Sequence, residues 1–154
     1  MTDTDIIFSP ALDCYLELIY NSGLSSIRFI RCKDKMIHKR TFNTTVELEE
    51  YFRGERTEFS CEVDLSNLSD FVRRVLEETR KIKYGTVVTY SDLSRRIGSN
   101  AVRAVGGALG RNPVPIIIPC HRVVAKNGIG GYSCGVDMKI KLLELERKHL
   151  SNNL

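Results

Sequence analysis

Apolar and polar residues alternate with the two-residue period of β-strands up to about residue 67. Asp5–Phe8, Cys14–Tyr20 and Leu24–Arg31 are rich in Ile, Phe, Tyr and Leu, and Asn21-Ser22-Gly23 makes a turn between the last two. The pattern predicts a small antiparallel sheet. Thr45 opens a helical stretch to about Phe52 that stops near Gly54, and Thr57–Val63 reads as a further extended piece. Asp64-Leu-Ser-Asn-Leu-Ser is the most loop-like stretch, so the chain divides into an expected 1–67 domain, α/β and supporting, and a 68–154 domain.

Beyond residue 68 the period lengthens to that of a helix. Ser69 is a candidate N-cap for a helix through Ile82, with Phe71, Val72, Val75, Leu76 and Ile82 on one stripe. Tyr84-Gly85 ends it and Thr86–Thr89 is a short β-branched stretch. Two short helical segments follow, Ser91–Ile97 and about Asn100–Leu109, separated by Gly98-Ser99, which is helix-turn-helix spacing. In the second, Ala101, Ala104, Val105 and Ala108 form the expected buried stripe, and Arg103 projects from the opposite side with Gly107. A helical glycine costs about 1 kcal/mol relative to alanine, so Gly106-Gly107 needs a reason: close approach of another backbone, such as nucleic acid, or tight packing within the protein. A final helix from about Asp137 to His149 has Val136, Ile140 and Leu143 as its expected core stripe, with Glu146 at the margin of that face. A carboxylate there either reaches out to water or is needed inside.

Composition narrows the class. At 154 residues, 42% hydrophobic and 27% charged, the chain suits one ordinary globular domain or two small ones. No apolar run approaches the roughly 20 residues that cross a bilayer, and Met-Thr-Asp-Thr-Asp is too acidic to open a secretory signal, so a cytoplasmic protein without a membrane partner is expected. Five cysteines and three histidines at irregular spacings, with no Cys-x-x-Cys, signal neither a disulfide framework nor a zinc module; no metal and no cofactor are expected. The net charge of +4 is mild but unevenly spread. Residues 93–136 contain no Asp or Glu yet hold Arg95, Arg96, Arg103, Arg111, Arg122 and Lys126. This stretch is either a solvated basic face or a surface for a polyanion.

That basic stretch contains the candidate chemistry. Ile116 to Val124 reads Ile-Ile-Ile-Pro-Cys-His-Arg-Val-Val, a cysteine and a histidine side by side in apolar surroundings. Thiolate is the nucleophilic form, and a cysteine with its ordinary pKa of about 8.5 is only slightly ionised at neutral pH. Cys120 therefore either packs as a small apolar residue or relies on His121 to remove its proton. Asn127-Gly-Ile-Gly-Gly-Tyr-Ser-Cys-Gly then makes a glycine-rich loop able to close over a ligand.

Taken in order, these motifs resemble the methylated-DNA–protein-cysteine methyltransferases, DNA repair proteins that remove alkyl groups from the 6-oxygen of guanine. The resemblance runs from about Phe71 to Glu146 through Tyr84-Gly-Thr-Val-Val-Thr-Tyr, Arg103-Ala-Val-Gly-Gly-Ala-Leu, Asn112-Pro-Val-Pro-Ile-Ile-Ile-Pro-Cys-His-Arg-Val-Val, Gly131-Tyr-Ser and Leu142-Leu-Glu-Leu-Glu. It implies an α+β protein: a small ribonuclease H-like domain with an antiparallel sheet, then a mostly helical, winged-helix-like domain that binds DNA and accepts the alkyl group. By resemblance Cys120 is the acceptor, spent in one irreversible turnover, His121 the base acting through a water, and Glu146 the carboxylate that orients the imidazole. Tyr90 would donate to the guanine ring, the Ser133 backbone would meet the 6-oxygen, and the carbonyls of Cys120 and Val123 would accept from the base's amino group. Tyr132 would wall the pocket and Asn112 would tie the recognition helix to the thiol segment; as a plain turn residue before proline, Asn112 has a simpler reading. Arg103 would replace the flipped base, with Gly106, Gly107 and Ala108 small because the helix enters the minor groove, and Arg95, Arg96 and Arg111 would meet phosphates or stay solvated.

The implied partner is double-stranded DNA carrying 6-O-alkylguanine, and 4-O-alkylthymine as a second lesion, bound by a monomer. Cys134 departs from the family, standing where glycine is common, and is expected to narrow the pocket rim. The turn between the two short helices is about one residue shorter than in some members. A non-catalytic lesion-binding protein and a thiol hydrolase using Cys120, His121 and Glu146 are the competing readings.

Overall fold

The computed structural model describes residues 2–152. Three strands, β1 (Asp3–Ser9), β2 (Cys14–Tyr20) and β3 (Leu24–Ile30), form an antiparallel meander in the order β1-β2-β3, with Ile7 opposite Leu16 and Leu18 opposite Ile27. Those four side chains are buried, which fixes the register, because a slip of one residue would turn them all outward. Helix α1 (Asn43–Phe52) begins two residues before the sequence expectation and has no side-chain N-cap of its own. Its start is held from the sheet instead: the buried Asp5 carboxylate accepts from the backbone N–H of Thr41 and Phe42 and from the hydroxyls of Thr41 and Thr45. Gly54, at φ +77°, ends the helix as expected.

Residues 57–63, expected to be extended, form no strand. Only Val63 bridges to Leu24, while Arg80 donates to the carbonyls of Phe59 and Cys61 and Glu47 accepts from Ser60. Side chains satisfy this backbone, so no ladder is needed.

The second half is helical. Ser69 caps α2 (Asp70–Arg80) by accepting from the Val72 N–H, and the helix ends two residues short of the buried Ile82. Strand β4 (Val88–Thr89) leads directly into α3 (Tyr90–Arg96), which starts with a reciprocal Thr89/Asp92 capping box. Helix α4 (Val102–Leu109) starts two residues later than expected, and its buried residues are Val105, Ala108 and Leu109. Ala101 and Ala104 are exposed, not buried as the sequence suggested. The larger Val105 and Leu109 bury more apolar area than two alanines, and that decides the helix's rotation.

Two residues of pairing position the site. β4 runs parallel to β5 (Val123–Val124), Val88 opposite Val123 and Thr89 opposite Val124. Tyr90 begins α3 immediately after β4, and the 3-10 turn Cys120–Arg122 immediately precedes β5. The pairing therefore brings Tyr90 beside the thiol turn.

The last helix, α5 (Val136–Asn152), packs against that turn, but with a different face from the one expected. Val136 and Ile140 are 40% and 41% exposed, whereas Met138, Lys139, Leu142 and Glu146 are buried. These four share one stripe of the helix. An apolar-count reading cannot find it, because half of the buried residues carry charge.

Candidate active site

Cys120 opens the 3-10 turn at the end of a strained approach. Ile116, buried, sits at φ +76°, a left-handed conformation that costs a β-branched residue about 1–3 kcal/mol. Ile118 N–H donates to the Val114 carbonyl at 3.1 Å and Cys120 N–H to the Ile118 carbonyl at 2.8 Å, closing the segment on itself. Asn112 reaches over it, its Nδ2 donating to the Ile118 carbonyl at 2.8 Å and to Cys120 Sγ at 3.1 Å, while its Oδ1 accepts from Val114 N–H. Burial pushes the Cys120 thiol up to about 11, against the opposing pull of the Asn112 hydrogen bond. At rest the group is a thiol.

Behind it lies a buried charge network. His121 Nε2 is 2.6 Å from Glu146 Oε2, and both side chains are inaccessible to solvent. Arg122, counted in sequence as part of the basic surface, is instead buried and forks onto the same carboxylate, Nε to Oε1 and Nη2 to Oε2, both at 2.9 Å. Tyr51 OH adds a 2.7 Å bond to Oε2 and Gly85 N–H a 3.0 Å bond to Oε1. Burial alone would raise the Glu146 carboxyl, but the hydrogen bonds and charges of His121 and Arg122 overcome it and hold Glu146 ionised, well below the usual carboxylate range. Burial lowers His121, which stays neutral at physiological pH despite Glu146. An ionised acceptor at Nε2 assigns the proton to that nitrogen. Nδ1 is then the basic nitrogen, and it is buried with no hydrogen-bond partner among the described residues.

In front of the thiol is a cavity of about 230 Å³ lined by Tyr90, Gly106, Leu109, Gly110, Cys120 and the 131–133 strap. Larger clefts lie elsewhere, one of about 540 Å³ along residues 80–84 without a cysteine and others beside Cys32 and Cys61, but neither of those cysteines has a histidine–carboxylate pair behind it. Tyr90 OH points to the Gly131 carbonyl at 3.4 Å. Gly130, at φ +75°, passes so close that a Cβ would lie 2.8 Å from Tyr90 Oη, which explains glycine at that point of the strap. Tyr132 is a wall of the cavity and Ser133 lies exposed at its rim. Cys134 does not line the cavity; its carbonyl accepts from Arg31, which also grips Asp137. Cys134 lies next to the Ser133 rim without forming the cavity wall, and its half-buried thiol is close enough to act electrostatically on Cys120.

Lys139 is the residue that sequence reasoning missed. It is fully buried, and its ammonium donates to the carbonyls of Val123 at 2.7 Å and Gly131 at 2.9 Å while lying 5.7 Å from the Tyr90 ring centre. Thus the Val123 carbonyl, expected to face the substrate, already accepts from Lys139. Burial lowers this lysine to about 8, with Cys120 pulling the other way. Its signal in sequence was the spacing of Lys139, Leu142 and Glu146 at i, i+3 and i+7 on one helix face.

Beside the cavity mouth, α4 presents Arg103 and Gly107 to solvent, and nothing lies within 4 Å of where a Gly107 Cβ would be. Packing within the protein therefore does not explain Gly107. Gly106 sits 4.0 Å from the Tyr90 ring. Ala108 is buried and belongs to the core stripe, which corrects its expected place on the DNA face. Arg95 pairs with Asp92, and Arg96 and Arg111 are exposed.

Fold and site together define a class: an α+β protein in which the short helices α3 and α4 flank a cavity that ends on a buried thiol. Residues 70–148 match the family described as 6-O-methylguanine DNA methyltransferase, DNA binding domain. The methylated-DNA–protein-cysteine methyltransferase of Metallosphaera sedula is 47% identical over 120 residues, covering 77% of this chain and 76% of that protein. The crystal structure of the Mycobacterium tuberculosis O6-methylguanine methyltransferase superposes with a TM-score of 0.82 at 35% identity, covering 97% of this chain and 94% of the other. Mycobacterium tuberculosis OGT in complex with DNA gives 0.79 at 36% identity over 94% and 92%. The chain belongs to the methylated-DNA–protein-cysteine methyltransferase family.

Proposed function

We propose that this protein repairs alkylated DNA by moving a methyl or other alkyl group from the 6-oxygen of guanine to Cys120. The observation that carries the reading is the placement of a buried sulfur on the wall of a base-sized cavity, with the Arg103–Gly107 helix face at its mouth. In the reaction the Cys120 sulfur attacks the alkyl carbon, an S–C bond forms, and the bond from that carbon to the guanine oxygen breaks. His121 Nδ1 takes the thiol proton through a water, and Glu146 stabilises the imidazolium. Tyr90 gives a proton to the departing guanine ring, so proton uptake and release balance. The thioether is stable and the protein is consumed.

A thiol in a cavity cannot reach a stacked base, so the nucleotide must be extruded from double-stranded DNA. Arg103 fills the vacated stack and the small Gly106 and Gly107 admit the helix to the minor groove. Arg95, Arg96 and Arg111 supply backbone attraction. Tyr132 walls the base, Ser133 meets the 6-oxygen and Asn112 links α4 to the thiol. The 4-oxygen of alkylated thymine, smaller and similarly placed, is a second substrate. The protein acts as a cytoplasmic monomer, with residues 1–67 as a supporting unit. Among the described residues no helix is long and apolar enough to cross a membrane.

Incubation with a duplex oligonucleotide carrying 6-methoxyguanine, followed by digestion and mass measurement of the Cys120 peptide, tests the reading. A gain of one methyl group with loss of the lesion is expected, and none in Cys120→Ser. Tight binding without methyl gain would instead identify a lesion-binding protein and overturn the transfer reading.

A further inference from the structure

The carboxylate behind the thiol is completed from the N-terminal half of the chain. Tyr51, on α1, is fully buried, and its ring is fixed by Phe52, Phe59 and Tyr84 at centroid distances of 5.5, 5.6 and 5.9 Å. The hydroxyl it delivers meets Glu146 Oε2 at 2.7 Å, on the oxygen that also accepts from His121 Nε2 at 2.6 Å and Arg122 Nη2 at 2.9 Å. Three donors thus share one oxygen, and each withdraws charge the others would otherwise see. Burial, reinforced by Glu146, keeps the Tyr51 phenol protonated far beyond its ordinary range, so it is always the donor.

We propose that Tyr51 is a positioning residue for alkyl transfer, whose hydroxyl fixes Glu146 Oε2 between His121 and Arg122 and limits the carboxylate's hold on the imidazole. The inference rests on the reading of His121 as the base. Without the hydroxyl, Glu146 concentrates its charge on His121, favours imidazolium and removes the free base over a wider pH range. The charged and titratable groups facing this pair are Arg122 from the thiol turn, Tyr84 after α2, Tyr51 from α1 and Lys139 from α5. Lys139 titrates near 8 and so lies on the alkaline side of the histidine's transition.

The test is the pH dependence of the single-turnover methylation rate on 6-methoxyguanine duplex. In Tyr51→Phe the acid limb should move up by about 0.5–1 pH unit, the equivalent of one ordinary hydrogen bond. Phe59→Leu, which loosens the same aromatic cluster but keeps the hydroxyl, should lose stability with the limb unmoved. An unmoved limb in Tyr51→Phe, or an equal shift in Phe59→Leu, overturns the proposal. The wild-type protein gives a check that needs no substitution: the Tyr51 hydroxyl proton resonance should shift as His121 titrates, and indifference to that titration also overturns it. Absence of methylation by the wild-type protein would instead sink the transfer reading.

Discussion

Asn112 Nδ2 donates to Cys120 Sγ at 3.1 Å while holding the carbonyl of Ile118 at 2.8 Å. One amide thus fixes the thiol's backbone and stabilises negative charge on its sulfur. It is the largest influence opposing the burial that pushes the thiol up to about 11. Without it the thiolate is harder to form.

Asn112→Ala should therefore slow methylation of Cys120 at neutral pH by about tenfold or more, the equivalent of one hydrogen bond to a charged group. Asn112→Asp keeps the acceptor for Val114 N–H but puts a carboxylate against the sulfur, and should be slower still. Iodoacetamide rates across pH check the cause. A Cys120 profile unchanged in both variants would remove Asn112 from any role at the sulfur.

Gly107 separates folding from binding. Its added Cβ would meet open space, and its φ is outside the left-handed region, so Gly107→Ala should stabilise the helix by about 0.5–1 kcal/mol. If α4 enters the minor groove, the same methyl group should weaken binding to duplex DNA. Thermal melting and an anisotropy titration at fixed salt read the two effects. Higher stability with undiminished DNA affinity would take Gly107 out of the interface.

The buried thiol also predicts a pH dependence of stability. Cys120 holds its proton to about 11 in the folded chain against an ordinary value of about 8.5–9. Between these values the unfolded chain has released the proton and the folded one has not, so stability falls as pH rises. The contribution is fully present below about pH 9 and declines by roughly 3 kcal/mol towards pH 11. Lys139, lowered to about 8, works the other way over part of that range. Cys120→Ser removes only the first effect, so its stability relative to wild type should improve from pH 9 to 11 in denaturant titrations. Parallel curves would show that the thiol is not desolvated as described.

Local chemistry makes much of this molecule legible in one dimension. Alternation in Cys14–Tyr20, the Ser69 cap and the glycine at residue 54 act over a few residues, so each is written where it operates. The thiol, its neighbouring histidine and the helix–turn–helix spacing are likewise contiguous. Periodicity failed on α5 because its buried face is chosen by partners from distant segments. Lys139 is inside because the carbonyls of Val123 and Gly131 accept from it, and Glu146 because Tyr51, Gly85, His121 and Arg122 donate to it. Buried charge is tolerated only where such donors and acceptors converge.

The sequence by itself thus determined most of the elements, though not the course of residues 57–63, together with the reactive pair Cys120-His121 and the basic stretch around it. Tertiary structure alone decided that Arg122 leaves that stretch for the interior, that Lys139 is drawn inside, and that Tyr51 joins the carboxylate from the other half of the chain. Each of those outcomes depends on where charge can find a partner once water is excluded, and that is settled only when the whole chain has folded.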